Sequence, residues 1–149
     1  MCIRDSPDSG WVNLGTYRVM IHDENTLAFY ISPGKHGRIM REKYYAKGEP
    51  CKVAISFGHD PLIFLAGGME VPNGVCEYDW VGGLQKAPVP VIIGGYTGLP
   101  IPAAAEIVIE GESVPGEERN EGPFGEWTGY YASSMRAEPT ILSLIHILW

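Results

Sequence analysis

Two glutamates stand five positions apart in the last third of the sequence, Glu121 and Glu126, with Gly-Pro-Phe-Gly between them. The glycines and the proline allow a sharp bend, so both carboxylates can face one point. Carboxylates in unequal surroundings can keep one acid protonated while the other is ionised, which is the basis of many proton-transfer sites. On spacing alone, a solvated acidic turn explains the same residues and is the commoner case.

A second group of polar residues lies near the start of the chain, between Asn13 and Arg18. Arg18 can bind a carboxylate or a phosphate through two hydrogen bonds, and Gly15 allows close approach to the backbone. A basic run from Lys35 to Arg38 opens a predicted helix, where free N–H groups attract phosphate. An edge-strand arginine and solvated first-turn charges are the local alternatives for the two segments.

These residues must be positioned by a chain that is rich in strands and turns. Nineteen glycines and twelve prolines among 149 residues argue against a helical bundle. Alternation and turn chemistry predict strands at 16–22, 26–32, 52–57, 89–93 and 106–110. Capping signals and periodicity predict helices at 36–46, 60–68 and 76–84, and 111–129 is predicted as a loop. The predicted fold class is α+β, a small barrel or curled sheet flanked by short helices.

Composition excludes several classes of protein. The formal charge of −7 argues against nucleic acid as a partner, because phosphate backbones need a basic surface. No apolar run reaches the roughly 20 residues that span a bilayer. Three cysteines without a C-x-x-C spacing argue against a zinc finger or a dithiol site, and reduced thiols predict a cytoplasmic protein.

The two ends of the chain do not share the patterns of the middle. Residues 1–10 begin with MCIRDS and residues 139–149 contain LSLIHI, and both resemble translated sequencing-adapter sequence. The expectation is therefore that 1–10 are non-native or disordered, that 139–149 are non-native, and that the domain covers 11–138.

Five short motifs stand in an order that resembles the central part of UbiD-type decarboxylases. Each motif alone is weakly specific, but their order and separations across residues 11–132 are specific together. In chain order they are Asn13-Leu-Gly-Thr-Tyr-Arg18, Pro33-Gly34-Lys35-His36, Gly58-His59-Asp60-Pro61, Gly74-Val75-Cys76-Glu77 and Glu121-Gly-Pro-Phe-Gly-Glu126.

The resemblance implies a split β-barrel related to flavin reductases. It implies reversible, non-oxidative decarboxylation of an aromatic or acrylic (α,β-unsaturated) acid with prenylated FMN, which a prenyl-FMN synthase supplies. Family chains are much longer and form homo-oligomers, so this chain is expected to be a fragment that is inactive by itself. The alternatives are an FMN-binding split-barrel oxidoreductase and a non-catalytic binding domain.

The resemblance also implies roles for individual residues. Asn13, His36 and Glu77 would bind a divalent metal such as Mn²⁺, with K⁺ nearby, and tie the cofactor phosphate to the protein. Arg18 would orient the substrate acid, Glu121 would pair with Arg18, and Glu126 would donate the proton. The residues implied to contact the cofactor are Gly15, Tyr17, Arg18, Lys35, His36, Gly67, Gly68 and Met69.

Overall fold

The structure, a computed structural model, describes residues 1–132 and 136–148. Three helices accompany the strands: α1 (His36–Ala46), α2 (Pro61–Gly68) and α3 (Glu77–Gln85). The strands are β1 (Cys2–Asp5), β2 (Val12–Gly15), β3 (Val19–Ile21), β4 (Thr26–Phe29), β5 (Cys51–Phe57), β6 (Val91–Ile93), β7 (Pro100–Pro102), β8 (Ile107–Ser113), β9 (Glu118–Glu121), β10 (Phe124–Gly125), β11 (Tyr131–Ala132) and β12 (Arg136–Leu148).

The main sheet has eight strands, and its described pairings are antiparallel. Seven strands follow the order β2-β1-β5-β8-β12-β4-β3, and β9 pairs with the first part of β12. Two small ribbons, β6–β7 and β10–β11, stand beside it. The sheet curls into a half-barrel with few short helices, which confirms the predicted α+β split-barrel class.

Side chains on the two faces of the sheet form separate cores. Along β5, Ala54 faces a cluster that includes residues of α2 and α3, whereas Val53 and Ile55 face a cluster flanked by residues of α1. This alternation follows from the two-residue period of a strand. Each buried Val, Leu or Ile contributes about 1.5–3 kcal/mol relative to an exposed one.

Local signals explain where the helices begin. The carboxylate of Asp60 accepts a hydrogen bond from the amide of Leu62 at 2.7 Å, and Pro61 occupies the first helical position of α2. The predicted helix 36–46 coincides with α1, and the other two predicted helices match α2 and α3 within one residue at each end. Among the described residues, none of the helices has the length and apolar character needed to cross a membrane.

Several strand predictions were wrong in extent. The segment 16–22 is a strand only at β3, because the amide of Thr16 leaves the ladder and donates to the carbonyl of Gly67 at 3.1 Å. The predicted strand 26–32 ends at Phe29, and 89–93 begins after Pro90, which has no N–H to donate.

The loop prediction for 111–129 was also wrong in part. This segment contains the end of β8, all of β9 and all of β10. The side chains of β9 are mostly charged and lack apolar alternation, so only its pairing with β12 marks it as a strand.

Both ends of the chain contribute to the sheet. Residues 2–5 form β1, which lies between β2 and β5, and residues 139–148 lie within β12. The expectation that these ends are non-native, and with it the domain boundary at 11–138, stays a prediction.

Candidate active site

The first candidate cluster is built by β2 and the starts of α1 and α3, and is here called the cleft cluster (Asn13, His36 and Glu77). Asn13 Nδ2 donates to Glu77 Oε1 at 2.8 Å, and the amide of Leu14 donates to Glu77 Oε2 at 2.8 Å. Asn13 and Glu77 are each only 3% exposed. Burial raises the pKa of Glu77, and the hydrogen bonds from Leu14 and Asn13 act in the opposite direction.

One polar atom of this cluster has no hydrogen-bond partner among the residues that the structure describes. This atom is Asn13 Oδ1, which is buried. The imidazole of His36, the first residue of α1, packs edge-to-face on Trp11 with ring centroids 5.0 Å apart. An amide oxygen, a carboxylate and an imidazole are suitable ligands for Mn²⁺. Within the described ranges no three His, Cys, Asp or Glu side chains cluster as a metal site, and this set differs because one member is an asparagine.

The cleft cluster lines a cleft of about 490 Å³. The amino end of α1 faces this cleft, and the free N–H groups of a first helical turn attract anions. Across the cleft, Lys35 Nζ and Glu70 Oε1 are 3.6 Å apart and form an exposed ion pair. Other residues implied by the resemblance also line the cleft: Tyr17, Gly67, Gly68 and Met69.

Gly15 and Arg18, which the resemblance implies as cofactor contacts, are not among the residues that line this cleft. Gly15 has a steric role instead, because a Cβ at this position would collide with the ring of Tyr17. A larger open cleft, of about 740 Å³, lies beside Trp11 and α3 and is lined by none of the predicted site residues.

The second candidate cluster is here called the acid cluster (Arg18, Glu121 and Glu126). Arg18 precedes β3 and Glu121 ends β9, yet Arg18 Nη2 donates to Glu121 Oε2 at 2.8 Å across 103 positions of sequence. The side chain of Glu121 is 1% exposed and that of Arg18 is 38% exposed. This hydrogen bond raises the pKa of Arg18. Glu121 Oε1 is buried and has no hydrogen-bond partner in the described part of the chain.

Glu126 differs from the other two members of the acid cluster. Glu126 is exposed and directly follows β10, and its amide donates to the carbonyl of Tyr130 at 2.7 Å. Its negative charge also raises the pKa of Arg18, more weakly than Glu121 does. The structure therefore brings Arg18 and Glu121 into contact and leaves Glu126 nearby in solvent.

Two aromatic residues beside Arg18 were missed as site residues. The guanidinium carbon of Arg18 lies 4.2 Å from the ring centroid of Phe124 and 5.2 Å from that of Tyr30. Phe124 lies inside the Glu121–Glu126 motif, so its position was a usable signal. Tyr30 carries no such signal before the strand register is known.

Residues 1–143 match the family model described as "UbiD: 3-octaprenyl-4-hydroxybenzoate carboxy-lyase Rift-related domain". The chain belongs to the UbiD family. Among curated relatives, the phenolic acid decarboxylase of Streptomyces sp. strain D7 is 38% identical over 133 residues, which are 89% of this chain and 28% of that protein. The pyrrole-2-carboxylic acid decarboxylase of Pseudomonas aeruginosa is 39% identical over 143 residues, 96% of this chain and 28% of that protein. This UbiD-family chain therefore spans about 28% of the length of these relatives.

Solved structures agree with this membership. An evolved dimeric form of the UbiD-class enzyme HmfF from Pelotomaculum thermopropionicum, in complex with prFMN, superposes with a TM-score of 0.88 at 31% identity and covers 95% of this chain and 33% of that chain. The NADH:FAD oxidoreductase SgcE6 of Streptomyces globisporus C-1027 superposes with a TM-score of 0.60 at 10% identity, covering 99% of this chain and 74% of that chain. The second likeness concerns the fold alone.

Proposed function

We propose that this chain is the cofactor-binding part of a longer decarboxylase that acts on an aromatic or α,β-unsaturated carboxylic acid. The proposed reaction is reversible and non-oxidative, and converts the acid into CO₂ and the corresponding C–H compound. The observation that carries the proposal is the ion pair between Arg18 and Glu121, which joins two motifs 103 positions apart. Tyr17, which precedes Arg18 in the sequence, lines the cleft, and this supports a position of the acid cluster beside the proposed cofactor site.

The proposed cofactor is prenylated FMN, bound in the cleft with its phosphate toward α1. Support comes from the prFMN complex of HmfF, which shares this fold at 31% identity. The first turn of α1 and the ammonium of Lys35 supply positive potential for a phosphate. Prenylated FMN, when bound, supplies an electron sink for the charge that remains when CO₂ leaves.

The proposed metal is Mn²⁺ or a similar divalent ion, held by Asn13, His36 and Glu77. The fit is supported by the unpartnered Asn13 Oδ1 beside the buried carboxylate of Glu77. A buried carboxylate with a raised pKa gains the most from a cation, because the ion offsets the cost of burying the charge. A potassium ion nearby is part of the proposal from the family resemblance.

The acid cluster would bind the substrate and move the proton. The side chain of Arg18 is 38% exposed and, among the described residues, hydrogen-bonds only through Nη2, so its other N–H groups would be available to a substrate carboxylate. Glu121 would hold Arg18 in place. Glu126 would donate a proton from its carboxyl oxygen to the carbon that loses CO₂, and closure by another part of the enzyme would exclude water from this step.

We also propose partners for the longer enzyme. A prenyl-FMN synthase would supply the cofactor, and the enzyme would assemble as a homo-oligomer. The dimeric form of HmfF supports assembly by analogy. In this chain, α2 exposes Phe64 and Leu65, an apolar surface that another part of such an assembly would bury.

The experiment that tests the function is co-expression of the longer enzyme containing this chain with a prenyl-FMN synthase. We expect an absorbance spectrum of bound prenylated FMN and CO₂ release from at least one member of a panel of cinnamic and hydroxybenzoic acids. Bound FMN with NAD(P)H oxidation and no CO₂ release would favour the oxidoreductase alternative. Absence of any chromophore would favour the non-catalytic binding domain.

A further inference from the structure

The guanidinium of Arg18 lies close to two aromatic rings. Its central carbon is 4.2 Å from the centroid of Phe124 and 5.2 Å from that of Tyr30, and both rings are half-buried. Among the described residues, its single hydrogen bond goes to Glu121. A single hydrogen bond fixes one nitrogen of the guanidinium but leaves its plane free to turn. Contact with the two rings restricts that rotation.

Strand register explains the position of Tyr30. Val19 pairs with Phe29 in the antiparallel ladder of β3 and β4. The next positions outward are Arg18 and Tyr30, so the ladder sets these two residues opposite each other. The contact is therefore specified by the β3–β4 hairpin.

Loop geometry explains the position of Phe124. Glu121 ends β9 and Phe124 begins β10, with Gly122 at a φ of +87° between them. Only glycine adopts this backbone conformation readily. The bend turns the chain so that one residue gives the guanidinium its carboxylate partner and the residue three positions later gives it an aromatic face.

We propose that Tyr30 and Phe124 form an aromatic clamp that fixes the plane of the Arg18 guanidinium, so that its free N–H groups face the substrate carboxylate. They are positioning residues that act through Arg18. A fixed plane matters because a carboxylate is bound best by two parallel N–H groups, and ordering the guanidinium beforehand lowers the entropy cost of binding. The contacts of the two rings with Arg18 come from the geometry of the structure, whereas the presence of a substrate carboxylate rests on the proposed function.

The first test is NMR spectroscopy of the 149-residue chain without cofactor. Protons above an aromatic face are shifted upfield, so the Nε–Hε and Cδ protons of Arg18 should resonate upfield of those of Arg119. Arg119 is a matched control because it forms a 2.6 Å ion pair with Asp23 and lies over no aromatic ring recorded among the described residues. Phe124→Leu should move the Arg18 signals toward those of Arg119, and Phe124→Tyr should keep them upfield. Unchanged Arg18 signals in Phe124→Leu would overturn the clamp.

The second test is the steady-state kinetics of the longer decarboxylase with sodium cinnamate. Loss of one ring should raise KM by about three- to tenfold, which is the weight of a cation–π contact, while kcat stays within about twofold. Phe124→Tyr and Tyr30→Phe keep a ring and should keep the wild-type KM. If Phe124→Leu does not fold, Tyr30→Leu compared with Tyr30→Phe gives the same comparison. If neither Phe124→Leu nor Tyr30→Leu changes KM, the positioning role is overturned.

The two tests separate this inference from the proposed function. If the wild-type enzyme releases no CO₂ from any acid in the panel, the proposed function fails while the NMR result still decides the clamp. If CO₂ is released and the NMR signals of Arg18 do not respond to Phe124→Leu, the clamp fails and the function stands.

Discussion

The cleft cluster and the acid cluster differ in how completely this chain builds them. In the cleft cluster, Asn13 and Glu77 are buried, and both oxygens of Glu77 accept hydrogen bonds from β2. In the acid cluster, Glu121 is buried, Arg18 is partly exposed and Glu126 is exposed. This chain buries two of the three residues of the cleft cluster but only one of the three residues of the acid cluster.

The surface around Glu126 is rich in exposed aromatic residues. Trp127, Tyr130 and Tyr131 are 94%, 77% and 74% exposed, which is a large aromatic surface for one short hairpin. Contiguous exposed apolar surface usually marks an interface. Because this chain spans about 28% of its curated relatives, we expect another part of the longer enzyme to cover this hairpin and close the acid cluster.

The largest expected effect is on turnover, from a substitution in the acid cluster. In the longer enzyme, Glu126→Gln removes the proposed proton donor, and a general acid contributes about a hundredfold or more to rate. We therefore expect CO₂ release to fall at least that far while the spectrum of bound prenylated FMN is unchanged. Glu118→Gln, at another exposed glutamate, should keep full activity. Normal turnover in Glu126→Gln would remove Glu126 from the proposed mechanism.

The second expected effect is on the stability and Mn²⁺ dependence of the 149-residue chain, from a substitution in the cleft cluster. Glu77→Ala removes the acceptor for the amide of Leu14, whereas Asn13 Nδ2 keeps its hydrogen bond to the carbonyl of Leu14 at 3.3 Å. Within the described residues one buried donor is thus left without a partner, which costs about 1–3 kcal/mol. Urea unfolding should show this loss of stability. The affinity of the chain for FMN, measured by titration, should no longer depend on Mn²⁺.

Asp79→Ala is the control for that substitution, because Asp79 is exposed in the same first turn of α3. It should leave both measurements unchanged. Equal Mn²⁺ dependence in Glu77→Ala and the wild type would exclude Glu77 as a metal ligand.

Sequence signals reached the two clusters to different extents. The starts of α1 and α3 were predictable locally, so the sequence placed His36 and Glu77 at helix starts. Their meeting with Asn13 depends on how the sheet curls, which no local pattern encodes. Likewise, β9 lacks apolar alternation, and the contact of Arg18 with Glu121 spans 103 positions, so only the order of motifs pointed to it.

A third buried polar group is the guanidinium of Arg4 in β1. Arg4 is 0% exposed, and among the described residues none of its three guanidinium nitrogens makes a hydrogen bond. The rings of Tyr17 and Phe29 lie 4.8 and 5.2 Å from its central carbon, and Gly37 has no side chain to occupy that space. Unlike Glu77, this group is compensated only by aromatic faces.

Arg4→Met should therefore stabilise the protein. The unpaired polar group costs about 1–3 kcal/mol and two cation–π contacts recover part of it, so we expect a net gain of about 1–2 kcal/mol in the free energy of unfolding. Urea unfolding measures this gain. Lys52→Met, at an exposed position of β5, is the matched control and should give no comparable gain. A less stable Arg4→Met variant would mean that the aromatic contacts fully compensate the buried charge.

The smallest expected effect concerns a second ion pair that joins the strands carrying the acid cluster. Arg119 in β9 and Asp23 in the β3–β4 turn are 2.6 Å apart, and this pair lowers the pKa of Asp23 to about 2. Because the pKa is lower in the folded state, the pair stabilises the fold above the ordinary pKa of about 4 and loses this effect as the pH falls toward 2. Asp23→Asn should therefore slightly lower the melting temperature at pH 7, and its difference from the wild type should shrink between pH 4 and pH 2. Glu24→Gln removes the same charge from the same turn without touching Arg119, so an equal fall in that variant would assign the effect to net charge and not to the contact with Arg119.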